Sequence, residues 1–488
     1  MAAIRNARTA VLLPILLLVV VTGAFGIAAL RDDEPPPADR LPFTLPTDPS
    51  PKKVFAHYMP NFPVSYDNAD PATDYYSREL LTPLGENGKH AEYGGFLRDR
   101  PLPRAPLAAA DWKAVDLRTE FAQARAAGID GFSVDVILPR AQSAVVTEIL
   151  DTAAAADFPI LPIADMTGPL RALGAAQLAD EFAPYLSSPA TERLSDGRPV
   201  LSAFAVERRP ATWWREVLDR LARQLGRTVA FVPILLDVRH FDDFLPITYG
   251  LSAWGGPRTP GMTDPQIDVR GSLVDLARRA HAAGKIWMAP ITFQDSRPAG
   301  GTYDEAGNSQ TLRNSWQIAT ETDAQWAQMI TWNDYAETTA FAPSARNGTA
   351  LLALNEYFLA TFKWGPPDIT GDTVFIVYRT QAADARPARA TALPMSPSEH
   401  SDRPTDLIEL VALTRAPAQG RLTIDGKSAT CELAEGLSTC TFPLSPGVVT
   451  AEILRDGHPV AHVTATEPIV ARPEVPDLQY LVATNARP

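Results

Sequence analysis

The chain is expected to fold as an α/β protein, a (β/α)8 barrel followed by a smaller antiparallel β-sandwich. Three observations lead there. Short β-branched or aromatic runs alternate with amphipathic stretches through the middle of the chain, as repeated strand–helix units do. Eight such runs can be counted, the number that closes a parallel barrel. After Gly365-Pro366-Pro367 the texture changes to closely spaced alternating strands with turn signals. Three segments follow: 1–50 for an N-terminal membrane anchor or signal segment with a Pro-rich linker, 51–368 for the barrel and 369–488 for the sandwich.

From Ala10 to Leu30 no charge interrupts an apolar run, long enough to span about 30 Å of hydrocarbon as a helix. Arg5 and Arg8 precede it and Asp32, Asp33 and Glu34 follow, which leaves the bulk of the chain on the outer face of a membrane. An uncleaved anchor is expected. A cleavable signal peptide is the alternative, although Gly26-Ile27-Ala28 matches the small-x-small cleavage pattern poorly. Glu34-Pro35-Pro36-Pro37 then makes a stiff linker.

The eight strand-like runs are 53–58, 131–135, 159–164, 199–204, 229–234, 249–254, 285–290 and 328–332. Val115, Leu117, Phe121 and Ala124 mark an apolar helix face before the second, and Val145, Ile149 and Ala153 another before the third. Gly128 and Gly284 stand where helix C-caps are needed. The excursion 61–106, rich in Tyr, Pro, Gly and Asn, is too long for a plain connection and is expected over the active face. In the sandwich the runs are 373–378, 407–411, 421–426 and 448–453. The two cysteines, Cys431 and Cys440, are expected to form a disulfide that staples one hairpin; two reduced buried thiols are the alternative.

A formal charge of -13 argues against a sequence-independent grip on nucleic acid, which needs clustered Lys and Arg. Two cysteines and seven histidines without metal-like spacing leave zinc or iron–sulfur chemistry without ligands, so no catalytic metal is expected. The chain is expected to act as a monomer.

The strongest local feature is Ile330-Thr331-Trp332-Asn333-Asp334-Tyr335-Ala336-Glu337-Thr338-Thr339 at the end of the eighth strand. Taken alone, Asp-x-x-Glu is a capping box at the start of a helix. Its position changes that reading, because barrel enzymes build their sites at the C-terminal ends of the strands. Two carboxyls in one cleft suit glycoside cleavage, where one protonates the departing oxygen and the other activates water or attacks carbon. His57, Asp135 and Asp165 end earlier strands and are expected to bind sugar hydroxyls, with Trp254 and Trp332 stacking on pyranose faces. Tyr58, Asn333 and Tyr335, in the same motifs, join the expected substrate-binding set. Arg313 and Trp316 are expected to be framework.

These residues resemble those of glycoside hydrolase family 71, the endo-1,3-α-glucanases called mutanases. The resemblance runs from about Lys53 to the C-terminus: Val54-Phe55-Ala56-His57-Tyr58-Met59, Gly128-Ile129-Asp130-Gly131-Phe132, Ala164-Asp165-Met166, Gly197-Arg198-Pro199-Val200-Leu201-Ser202-Ala203-Phe204, Trp332-Asn333-Asp334-Tyr335-Ala336-Glu337 and Arg455-Asp456-Gly457. It implies Asp334 and Glu337 as the catalytic pair, an inverting mechanism, a polysaccharide substrate and no cofactor. Glu337 is assigned as general acid and Asp334 as general base, since Glu has the higher reference pKa and the longer reach; the reverse assignment is the alternative, because only environment separates the two. The chain departs from the family at Thr338-Thr339, where Ser-His is usual, at Asp135, where Asn is common, and at Ala205, where Glu is frequent. Those departures bear on the sugar and linkage more than on the reaction type. A related family of endo-α-mannosidases carries a similar acid pair, which keeps α-mannan open as a substrate. Two further readings stay open, a transglycosylase of cell-envelope glycan and a non-catalytic envelope glycan-binding protein.

Overall fold

Alternate residues of an extended strand face opposite sides, so Val54, Ala56 and Tyr58 must separate from Phe55 and His57. The computed structural model, which describes residues 41–254, 258–389 and 391–486, realises this in β1 (Lys53–Tyr58). Phe55 joins Leu161, Ile163, Val200, Ile234 and Met288 in a closed interior cluster, whereas Val54, Ala56 and Tyr58 belong to the larger core between strands and helices. The barrel continues through β2 (Gly131–Val136), β3 (Ile160–Asp165), β4 (Val200–Phe204), β5 (Ala230–Phe231), β6 (Ile234–Leu235), β7 (Gly250–Ala253) and β8 (Ile286–Thr292). Beyond it lie the short β9 (Asp295–Arg297) and β10 (Thr302–Asp304), and β11 (Trp326–Ile330) completes the ring. The order β3-β2-β1-β11-β8-β7-β6-β4-β5, all parallel, is closed by pairing of β3 with β4. The run expected at 229–234 is two short strands sharing one stave, because Pro233 has no N–H for the ladder.

Gly128 and Gly284 do follow helices, Trp112–Ala126 and Leu273–Ala282, at left-handed φ of 80° and 68°. The face of Trp112–Ala126 differs from expectation: Asp116 and Glu120 are buried beside Phe121 and Ala124, while Val115 and Leu117 are only partly buried. Partners make this tolerable. Arg104 donates to both oxygens of Asp116 at 2.6 Å, and the Tyr58 hydroxyl and Trp332 indole each donate to Glu120 at 3.0 Å.

The C-terminal region holds β12 (Thr373–Tyr378), β13 (Ser396–Pro397), β14 (Leu407–Thr414), β15 (Ala418–Ile424), β16 (Lys427–Leu433), β17 (Gly436–Pro443), β18 (Val449–Arg455), β19 (His458–Thr464) and β20 (Leu481–Thr484). Two antiparallel sheets, β17-β14-β12-β20 and β16-β15-β18-β19, enclose a core that includes Val374, Ile376, Leu410 and Ile453. The unbroken apolar run of β12 has a physical reason, since Phe375 and Val377 on its other face pack into the barrel's core. The join carries buried polar links. Arg379 and Glu305 pair at 2.9 Å, Asn308 donates to the Val377 carbonyl at 2.8 Å, and Arg313 reaches Glu409 at 3.0 Å. Trp316 donates to Asn355 inside the barrel layer at 2.8 Å, so both it and Arg313 are framework.

Cys431 and Cys440 form a disulfide. It does not staple a hairpin: β16 and β17 are consecutive but belong to different sheets, so the bond ties the two layers at their edge strands. The apolar run 10–30, read as an anchor, lies outside the described residues. Among the described residues no helix is long and apolar enough to cross a membrane.

Candidate active site

Inward parity places a layer of polar and aromatic side chains at the C-terminal mouth of the barrel. His57 (β1), Asp135 (β2), Asp165 (β3), Phe204 (β4) and Trp254 (after β7) line a cavity of about 560 Å³, joined by Asp334 and Glu337 from the loop beyond β11. Arg258, Asp295 and Arg297 add a charged wall, and Met59, Thr167 and Leu236 complete the lining.

The segment carrying the acid pair is a turn rather than the helix start that the spacing suggested; the next helix is Ala350–Trp364. One carboxyl oxygen of Asp334 accepts from the N–H groups of Ala336 at 2.9 Å and Glu337 at 3.1 Å, which curls the chain so that both acids face the cavity. Thr331 Oγ1 accepts from the Asp334 N–H at 2.8 Å and lies 3.0 Å from Thr339 Oγ1. Thr338, in the left-handed region at φ 53°, donates its hydroxyl to the Ser296 carbonyl at 3.0 Å. All three threonines therefore hold the turn.

Burial pushes the Asp334 carboxyl up to about 6, against the pull of its two N–H donors. Glu337 is pushed further, to about 8, by burial and then by the charges of Asp334 and Asp295, with Arg297 and Arg258 opposing. Arg297 is the nearest opposing charge. It donates Nε and Nη2 to the two oxygens of Asp295, each at 2.8 Å, and sets Nη1 3.0 Å from Glu337 Oε1. Arg258 lies 3.4 Å from Asp295 and 3.2 Å from Asp304. Asp295 and Arg297 sit on β9 in a three-stranded sheet, β13-β10-β9, whose outer strand comes from the C-terminal region.

Burial drives His57 down to about 3, so the ring is neutral at physiological pH. Its Nδ1 lies 3.3 Å from the Gln328 amide nitrogen, and it meets Trp254 edge-on at 4.7 Å. Asp165 accepts from the Thr167 N–H and hydroxyl, each at 2.7 Å. Asp135 is raised well above the carboxylate range by burial, then by the charges of Asp165 and Asp334.

Four residues expected to touch substrate do not line this cavity. Tyr58 follows inward-facing His57 and so points outward, stacked on Phe132 and bonded to Glu120. Trp332 is fully buried against Phe132, its indole N–H satisfied by Glu120. Asn333 clamps the chain, accepting from the Met59 N–H at 2.7 Å and donating to the carbonyls of Met59 and Phe62. Tyr335 is buried with Phe62, Tyr76, Leu80 and Leu97. These contacts anchor the excursion 61–106, whose Arg100 and Asp74 form a buried ion pair, to the segment that carries the acids. Sequence reasoning missed Arg258, Asp295, Arg297 and Glu120. The strand-end rule that found Asp135 and Asp165 also reaches Asp295, had β8 been followed to its end at Thr292.

The model of glycosyl hydrolase family 71 matches residues 107–484. No curated protein matches the chain. Among solved structures, the chain is similar to the GH99 endo-alpha-mannosidase from Bacteroides thetaiotaomicron, with 13% identity and a TM-score of 0.48 over 63% of this chain and 97% of that one. It is also similar to a glycosyl hydrolase family 2 member from Bacteroides cellulosilyticus DSM 14838, with 12% identity and a TM-score of 0.40 over 72% of this chain and 43% of that one. A third is GH5_18 from Streptomyces cattleya in complex with GlcNAc, with 10% identity and a TM-score of 0.34 over 56% of this chain and 79% of that one.

Proposed function

The chain belongs to glycosyl hydrolase family 71, and on that premise we propose that it hydrolyses an α-linked polysaccharide, endo-1,3-α-glucan foremost, by inversion at Asp334 and Glu337. One observation carries the assignment. Both carboxyls enter the same cavity at the strand ends, where burial raises both and the charges of Asp334 and Asp295 raise Glu337 further. Two interacting acids whose affinities for protons are pushed apart divide the labour of acid and base between them.

Glu337 keeps its proton and delivers it to the departing glycosidic oxygen. Asp334 loses its proton first and takes one from the water that attacks the anomeric carbon from the opposite face, so configuration inverts. His57, neutral, and Asp165 offer hydrogen bonds to ring hydroxyls, and Trp254 offers an apolar face. Activity then requires Asp334 ionised, above about 6, and Glu337 protonated, below about 8. The Cys431–Cys440 disulfide supports action in an oxidising, extracytoplasmic compartment.

The test is hydrolysis of linear α-1,3-glucan by the wild type, Asp334→Asn and Glu337→Gln, with the anomer of the first product followed by NMR. Each substitution is expected to lower the rate by about 10²- to 10⁴-fold, and the wild type to release the β-anomer. Either variant retaining the wild-type rate sinks the assignment.

A further inference from the structure

One carboxyl of the cavity has no counterpart in the chemistry above. Asp135 is buried, with 4% of its surface exposed, and its Oδ1 has no hydrogen-bond partner among the described residues. Its neighbours make this odder. The charges that act on it are those of Asp165 and Asp334, both of its own sign. The two guanidinium groups in the cavity are engaged elsewhere: Arg297 by Asp295 and Glu337, and Arg258 by Asp295 and Asp304. His57, the remaining basic side chain in the lining, is held neutral by burial. Burial and its like-charged neighbours keep the proton on Asp135, so the group is poised to ionise only when a ligand brings both donors and a counter-charge.

We propose that Asp135 and Asp165 form a cation-accepting subsite, and that the natural substrate is an α-linked glycan bearing a protonated primary amine, a hexosamine unit that is not N-acetylated. This rests on the reading of the cavity as a glycosidase site and names its substrate class. A sugar hydroxyl gives one donor and leaves two acids uncompensated, whereas an ammonium gives three donors and the opposite charge. Thr167 occupies one oxygen of Asp165, which leaves the other to share such a group with Asp135 across neighbouring strand ends.

The experiment uses the full chain carrying Glu337→Gln, so that binding is read without turnover. Three α-1,3-linked disaccharides that differ only at C2, bearing a hydroxyl, a free amine or an N-acetyl group, are titrated by calorimetry at about pH 6, where an amine of ordinary basicity is charged. The amine sugar is expected to bind roughly tenfold tighter than the hydroxyl sugar, as a charge-assisted bond exceeds a neutral one. Adding Asp135→Asn should abolish that preference and leave the hydroxyl sugar within about threefold of its former affinity. Asp135→Ser provides the same comparison if circular dichroism shows that the first variant is unfolded. Equal binding of amine and hydroxyl sugars, no binding of the amine sugar, or a preference that survives Asp135→Asn overturns the proposal. None of these outcomes touches the acid pair, which stands or falls on hydrolysis.

Discussion

Replacing Arg297 by methionine should move the alkaline limb of the pH–activity profile upward. The guanidinium lies 3.0 Å from Glu337 Oε1 and stabilises its ionised form. At an effective dielectric of about 20, unit charges centred ~4 Å apart interact by ~4 kcal/mol. Two features reduce this. Arg297 also neutralises Asp295 through a bidentate contact, and its side chain is 40% exposed, so solvent screens a large share. A net loss of ~1.5 kcal/mol is a fair expectation, about one pKa unit. Removing a cation favours the protonated acid, so Glu337 should keep its proton to higher pH. Asp334 is also lowered by Arg297, though as the smallest of its influences, so the acid limb should rise by less. The assay is kcat/KM against pH on a defined oligosaccharide, whose limbs report the free enzyme's essential base and acid. Arg297→Lys, which keeps the charge, should stay close to the wild-type profile. If the alkaline limb of Arg297→Met stays in place or moves down, Glu337 is not the proton donor that this ion pair controls.

Two predictions concern stability. Cys431 and Cys440 are nine residues apart and join two sheets, so replacing both by serine should lower the free energy of unfolding by about 2–3 kcal/mol, measured in guanidinium. Glu120 is held above its ordinary value, at about 8, by burial outweighing its bonds to Trp332 and Tyr58. Its folded form therefore binds a proton more tightly than its unfolded form, and the associated stability is present below about pH 4 and lost as pH rises through about 8. Glu120→Gln should flatten the fall in melting temperature between about pH 5 and about pH 8. An unchanged slope would mean that Glu120 is already ionised in the fold.

The barrel was legible because its strands obey period-two burial and its helices end at glycines such as Gly128 and Gly284, features encoded within a few residues. Parity also explains the partial success with the site. His57, Asp135 and Asp165 sit at inward positions of their strands, and the same alternation excludes Tyr58. Applying it at the eighth strand would still have misplaced Trp332. Met329 packs outward, so simple alternation sends Trp332 inward, but the strand ends at Ile330 and the chain turns the indole toward Glu120. That contact joins residues 212 positions apart, and no local pattern announces it. Asp116 and Glu120 were overlooked for a related reason: a buried acid looks like a solvent-facing one until its partners are known.

The cavity's charged wall is braced by the C-terminal region through strand pairing. β9 carries Asp295 and Arg297 but is only three residues long, too short to hold a fixed direction by itself. It is braced by β10, which pairs in turn with β13 from the chain beyond β12. Directly after β10, Glu305 is buried against Arg379 and accepts from the Tyr480 hydroxyl at 2.5 Å, both partners lying in the C-terminal region. On the opposite side, the Ser296 N–H donates to the Glu337 carbonyl at 2.9 Å. Glu337, the arginine that faces it and the C-terminal region are therefore linked through one hydrogen-bonded network. A module that served only to tether substrate would need no such strand. The buried pair of Glu305 and Arg379 is hard to justify by stability alone, since apolar residues of similar volume often serve as well. Fixing the direction of a guanidinium toward Glu337 is a sufficient physical reason to retain it.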